Sequence, residues 1–120
     1  MPIRVDTIGY EAGRDQLIAD SQHHGMGHPP QIVLDQLRQK NALDAELVNA
    51  SNYQQRLNAA AAVYDHMAGG NRATSYAHTI KGEHDAERVY RRIRGLLFDR
   101  YYRWNRVLHA REDAAVNAGK

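Results

Sequence analysis

Seven histidines and thirteen arginines are the side chains of this chain most able to do chemistry, and their spacing limits what that chemistry is. His23, His24 and His28 fall within the stretch HHGMGHPP, whose glycines would let two imidazoles converge on a metal. Zinc or nickel accepts such nitrogen ligands, but a stable site needs a third or fourth ligand and a surrounding shell that orients the rings. Asp20, His66, His78 and His84 are the remaining candidates, and no spacing demands them. The stretch therefore reads as a polar connector, with metal binding at His23, His24 and His28 as an alternative and no cofactor expected. His66, His78 and His84 could work as acid and base beside Asp65, Asp85 or Glu87, since histidine titrates near neutral pH, yet nothing in their spacing fixes a geometry.

Other catalytic signals are lacking. The chain has no cysteine, which excludes disulfides, thiolate nucleophiles and sulfur-bound zinc. It has no Gly-x-Ser-x-Gly, phosphate loop, HExxH or dinucleotide fingerprint, and Ser21, Ser51 and Ser75 read as capping or surface residues. AGGNR at 68–72 resembles an anion-binding turn, but it follows a helical pattern, and phosphate prefers the start of a helix to its end. The expectation is that the protein is not an enzyme.

The arginines concentrate in RVYRRIRGLLFDRYYRWNRVLHAR, residues 88–111. At about 100° per residue, Ala86, Val89, Tyr90, Ile93, Leu96, Leu97, Tyr101, Trp104, Val107 and Leu108 form one core stripe on a continuous helix. Phe98 and Tyr102 project off that stripe, so a second contact, with another copy or a partner protein, is expected there. Arg91 follows Glu87, Arg88 follows Asp85 and Arg103 follows Asp99 at helical spacing, in the favourable order of acid first. Arg92, Arg94 and Arg106 have no such local acid. With Phe98 and Tyr102 they make up the expected partner-binding patch. The same residues, read as a basic face with aromatics for base stacking, give the nucleic-acid alternative.

The elements that would position these groups are helical. Residues 1–13 read as an extended arm, 14–22 as a short helix and 23–29 as the His/Gly/Pro loop. A long helix over 30–68 carries a heptad seam, Leu43, Leu47, Ala50, Leu57, Ala61, Tyr64 and Ala68, with Gln54 in the polar slot and a kink expected near Asn41. Gly69 and Gly70 stop it, 69–82 is a connector, and a second long helix over 83–116 starts with Glu83, Asp85 and Glu87 in its first turn, before a frayed tail at 117–120. The expected fold is all-α: an antiparallel long-helix hairpin with coiled-coil character, a short N-terminal helix and an extended arm. Two long helices bury little on their own, so assembly into a helical oligomer is expected as well.

Composition sets the remaining bounds. A chain of 120 residues, 42% hydrophobic and 25% charged, fits one ordinary globular domain, expected as a single helical domain over 1–120. The longest apolar run is too short to span a bilayer and MPIRVDTIGYEAGRD does not read as a signal peptide, so a cytoplasmic protein, in the host cytoplasm or virion for a phage product, is the default. Residues 1–70 carry five basic and eight acidic side chains, net −3, against eleven and six, net +5, in residues 71–120. That asymmetry points to an acidic partner surface or a self-complementary assembly. The functional expectation is a small oligomeric interaction protein, such as a bacterial or phage assembly factor, adaptor or inhibitor, that docks on a larger protein.

Overall fold

The computed structural model describes residues 7–119, and every regular element in them is an α-helix. In chain order these are α1 Thr7–His23, α2 Gln31–Leu47, α3 Tyr53–Ala68, α4 Arg72–Ala77, α5 Glu83–Leu97 and α6 Asp99–Ala118. The chain divides into two compact units, one built from Ala42–Leu97 and the other from the described residues up to Asn41 together with those from Phe98 onward. No helix among the described residues is long and apolar enough to cross a membrane.

The second of these units packs α1, the first part of α2, and α6. Leu17, Val33, Leu34, Leu37 and Leu108 are its buried core, with Tyr10, Ile18, Met26, Tyr101 and Trp104 packed against them. Leu37 follows Val33 and Leu34 by four and three residues, Tyr101, Trp104 and Leu108 are spaced by three and four, and Leu17 follows Tyr10 by two helical turns, which places the set on each helix on one face. Ser21 is fully buried, and its hydroxyl accepts a hydrogen bond from the Trp104 indole at 2.9 Å, so the one polar group of each residue is satisfied inside the core. The HHGMGHPP break is a helix stop of defined form. The Met26 amide donates to the Ser21 carbonyl and the Gly25 amide to that of Gln22, with Gly25 at φ +76°, the left-handed conformation that glycine adopts without cost. Met26 then folds back onto the core as the apolar residue of that cap.

In the other unit α3 packs on both α5 and α4. Ala60, Ala61, Ala77 and Ala86 are fully buried, and such small side chains let helix backbones come close, with Leu43, Leu57, Val89, Tyr90, Ile93 and Leu97 filling the remaining core. The starts of α3 and α5 meet where the Tyr53 amide donates to the Glu83 carboxylate at 2.7 Å and the two rings of Tyr53 and Tyr90 lie 6.0 Å apart. Gln54 donates to the Ala77 carbonyl at the end of α4. Asp65, eleven residues further along α3, holds the start of α4. The helix that runs back along α3 is therefore α4, inside what reads from the sequence as a connector over 69–82.

Several expected boundaries change. Of the expected extended arm at 1–13, residues 7–13 are the first turns of α1, residues 1–6 lie outside the described residues, and the short helix expected over 14–22 begins at Thr7. The helix expected over 30–68 passes through Asn41 without interruption and breaks instead at 48–52. Asn52 is extended at φ −154°, ψ 172°, and its side chain accepts the Gln55 amide at 2.9 Å, while the Gln55 side chain accepts the Ser51 amide at 2.8 Å. This reciprocal cap satisfies amides that a continuous helix would not leave open, and it restarts the chain despite the heptad pattern across it. The helix expected over 83–116 likewise stops at Leu97 and restarts at Asp99, with Phe98 at φ −121°, ψ 29°.

Replacing Asn52 with Ala is expected to lower the unfolding free energy by about 1 kcal/mol, the usual cost of losing a capping side chain. Urea titration followed by circular dichroism at 222 nm measures it. Unchanged or increased stability would mean that 31–68 is one helix in solution.

Candidate functional site

Two of the five residues of the expected partner patch, Phe98 and Arg94, are withdrawn from solvent. Phe98 is fully buried, 0% exposed, with its ring edge-on to Tyr102 at 6.3 Å. The wheel that put it off the core stripe assumes a continuous helix, and the non-helical Phe98 resets the phase at that residue. Arg94 is also withdrawn, with its side chain 17% exposed, ion-paired to Asp44 and donating to the Tyr90 hydroxyl at 3.2 Å. Arg92 and Arg94 belong to one unit, and Phe98, Tyr102 and Arg106 to the other. Of the five, Arg92 and Arg106 are exposed and Tyr102 is half-buried. Tyr102, Arg106, Asn105 and His109 line a shallow trough along α6.

The expected ion pairs are partly formed. Arg91 meets Glu87 at 2.9 Å, and Arg88 stands 4.0 Å from Asp85. Asp99 instead accepts from the Gln36 side chain at 3.0 Å and from the Arg100 amide at 2.8 Å. The Gln36 bond is the main reason the Asp99 carboxyl lies below its ordinary pKa, against the opposing effect of burial, with smaller help from Arg100 and Arg103. The Gln36 carbonyl oxygen takes the Tyr101 amide at 2.9 Å, so one buried side chain holds the start of α6.

His23 and His24 lie edge to face with ring centroids 4.9 Å apart, and His28 Nδ1 is 2.8 Å from the Pro29 carbonyl. The described residues contain no cluster of three histidines and carboxylates placed to hold a metal ion. The carbonyl of His24 accepts from Arg111 at 2.9 Å, so this arginine seals the end of α1 rather than pairing with an acid.

A surface that the sequence does not announce lies between α3, α4 and α5. It is a groove of about 340 Å³, with Tyr64 of α3 and the buried Val89 and Ile93 of α5 as its floor. Ala73 and Tyr76 of α4 form one part of its lining, and Leu96 closes the α5 side. Tyr76 is 53% and Leu96 56% exposed, large apolar groups left facing water. Arg88 and Arg92 are also in its lining, four residues apart on α5 and beside the Val89, Ile93, Leu96 row.

The chain matches no known family model, curated protein or solved structure. The groove must therefore be read from its own chemistry.

Its geometry depends on Asp65. This side chain is buried on α3, and its two carboxylate oxygens accept the Ala73 and Thr74 amides at 2.8 Å each. Those are open amides of the first turn of α4, whose own cap residue, Asn71, makes no side-chain capping bond. The Gly69 and Gly70 amides both return to the Asp65 carbonyl, with Gly69 left-handed at φ +76°, so the tight stop and the remote cap turn on one residue. Sequence reasoning misses the groove because α4 has only six residues and its cap comes from eight positions upstream.

Burial raises the Asp65 pKa, but the hydrogen bonds from the Thr74 side chain and the Thr74 and Ala73 amides outweigh it, and the carboxyl ends below its ordinary value of 3.8. A depressed folded-state pKa contributes stability that is present above 3.8 and lost as the pH falls through the folded value. Asp65→Asn is expected to be less stable than the parent at pH 6, with the gap narrowing at pH 3 and below. Urea titrations across that range check it, and a gap independent of pH would remove the carboxylate from this role.

Proposed function

We propose that the chain is a small non-enzymatic interaction protein, of the assembly, adaptor or inhibitor kind, that docks on a larger protein through the groove between α3, α4 and α5. The observation that carries this reading is the apolar floor of Tyr64, Val89 and Ile93, open to water between Tyr76 and Leu96 and bordered by Arg88 and Arg92. Protein interfaces draw most of their energy from a few apolar or aromatic anchors seated in such depressions, with arginine enriched around them. Arg92 is the member of the sequence-derived patch that this reading keeps.

Self-association into a helical oligomer belongs to the same reading, supported by the large apolar side chains of Tyr76 and Leu96 left facing water. Light scattering on untagged protein is expected to give a multiple of 13.6 kDa, and a monomer would remove this part. Nucleic-acid binding is the second reading, favoured by the exposed Arg100, Arg103 and Arg106 on the helix that carries Tyr102.

A library of displayed random peptides selected on the full chain tests the principal reading. Binders are expected to protect amides of α4 and of 88–96 from hydrogen exchange, and to lose at least tenfold in affinity against Leu96→Asp, which alters an exposed side chain and should leave helicity intact. Binders that footprint on α6, or a salt-sensitive complex with a mixed-sequence oligonucleotide and no peptide binding, would transfer the function to the second reading.

A further inference from the structure

We infer that the groove is built for an acidic protein segment carrying one or two large apolar side chains, an inference that rests on the docking role proposed above and names its ligand chemistry. The volume, about 340 Å³, is near the lower end of the roughly 300–1,000 Å³ of small-ligand pockets, enough for one or two anchor side chains and too little for a whole folded surface. The apolar row Val89, Ile93, Leu96 supplies the seat for those anchors, and Tyr76 adds an aromatic face beside it.

Charge selects the rest of the segment. No carboxylate lines the groove, while Arg88 and Arg92 do. Arg88 has only Asp85 near it, at 4.0 Å and with both side chains largely in water, and Arg92 makes no ion pair among the described residues. A third arginine, Arg72, lines the neighbouring depression, which shares Tyr64 with the groove. The one carboxylate in that depression, Asp65, is committed to the Ala73 and Thr74 amides and is not free to neutralise any of the three. An apolar floor lined by Arg88, whose one acid is the solvent-exposed Asp85, and by Arg92, with no ion pair among the described residues, is complementary to apolar anchors flanked by Asp or Glu, and it repels a basic segment. Arginine also forms paired hydrogen bonds with a carboxylate, which fixes the register of the segment along α5.

Three displayed libraries of 12-residue peptides, equal in apolar content and biased to acidic, neutral or basic flanks, test this when selected on the full chain. The acidic library is expected to enrich most strongly. A labelled peptide from it should bind with an affinity that falls with added salt and drops about tenfold or more against Arg88→Glu combined with Arg92→Glu, both on the solvent side of α5. The same peptide should also be lost against Leu96→Asp. Neutral or basic binders that depend on Leu96 would overturn the acidic ligand and leave the docking role standing. Acidic binders that ignore the arginine reversal, or a single-stranded oligonucleotide that displaces them from the groove, would overturn the inference as well. If no library yields binding that depends on Leu96, both the inference and the docking role fall.

Discussion

Every helix end opens backbone amides or carbonyls that the helix itself cannot pair, and six helices among the described residues make that the governing constraint of the structure. The solution is to take caps from other elements. Gln36 of α2 receives an amide of α6, Glu83 of α5 receives an amide of α3, Asp65 of α3 receives two amides of α4, Gln54 of α3 donates to the last carbonyl of α4, and Arg111 of α6 donates to a carbonyl after α1. A helix of six residues is not stable alone, because nucleation costs more than its few bonds return. α4 persists because its first turn is paired by a buried carboxylate and its last residue, Ala77, is buried, and the groove exists because α4 persists.

These caps show which parts of the fold were legible in the sequence. Local signals read correctly: the Gly69 stop, the acidic first turn after Gly82, and the break at HHGMGHPP all use neighbours within a few residues. The all-helical class is visible as well, since apolar spacing of three and four runs through most of the chain. The split at 48–52 had a local signal too, Asn52 followed three residues later by Gln55, but the heptad running through it suggested continuity. Leu43, Leu57 and Ala61 do reach the core, as the heptad requires, while Ala68 is exposed. The periodicity thus survives in pieces on two helices, and it was the capping side chains, not the apolar pattern, that set the length of each piece.

The junction at Phe98 was harder to see. Within α5, Ala86, Val89, Tyr90, Ile93 and Leu97 are buried, and within α6 Leu108 is buried with Tyr101 and Trp104 packed beside it, so each half keeps most of its expected stripe, with Leu96 and Val107 left exposed. The wheel fails at Phe98, which is non-helical and buried, so the phase of α5 does not carry through it, while Leu96, assigned to the core, lies upstream of the break at the margin of the α5 stripe and faces water. Phe98 is withdrawn from solvent because of that break, and Arg94 because it finds in Asp44 an acid fifty residues away.

Arginine number is in consequence a poor guide to function in this chain. Arg94 and Arg111 hold backbone and helices together, Arg91 is tied to Glu87, and Arg100, Arg103 and Arg106 are exposed on α6, where salt screens them. What distinguishes Arg92 is its surroundings. A guanidinium in open water attracts any anion weakly and is screened by salt, whereas one beside an apolar floor acts where a ligand has already displaced water and the effective dielectric is lower. In the proposed docking role, that charge favours ligands that bring a carboxylate over ligands that do not. The cap that Asp65 provides to α4 holds Ala73 and Tyr76 beside that floor, and because its carboxylate is committed to the α4 amides it does not neutralise Arg92.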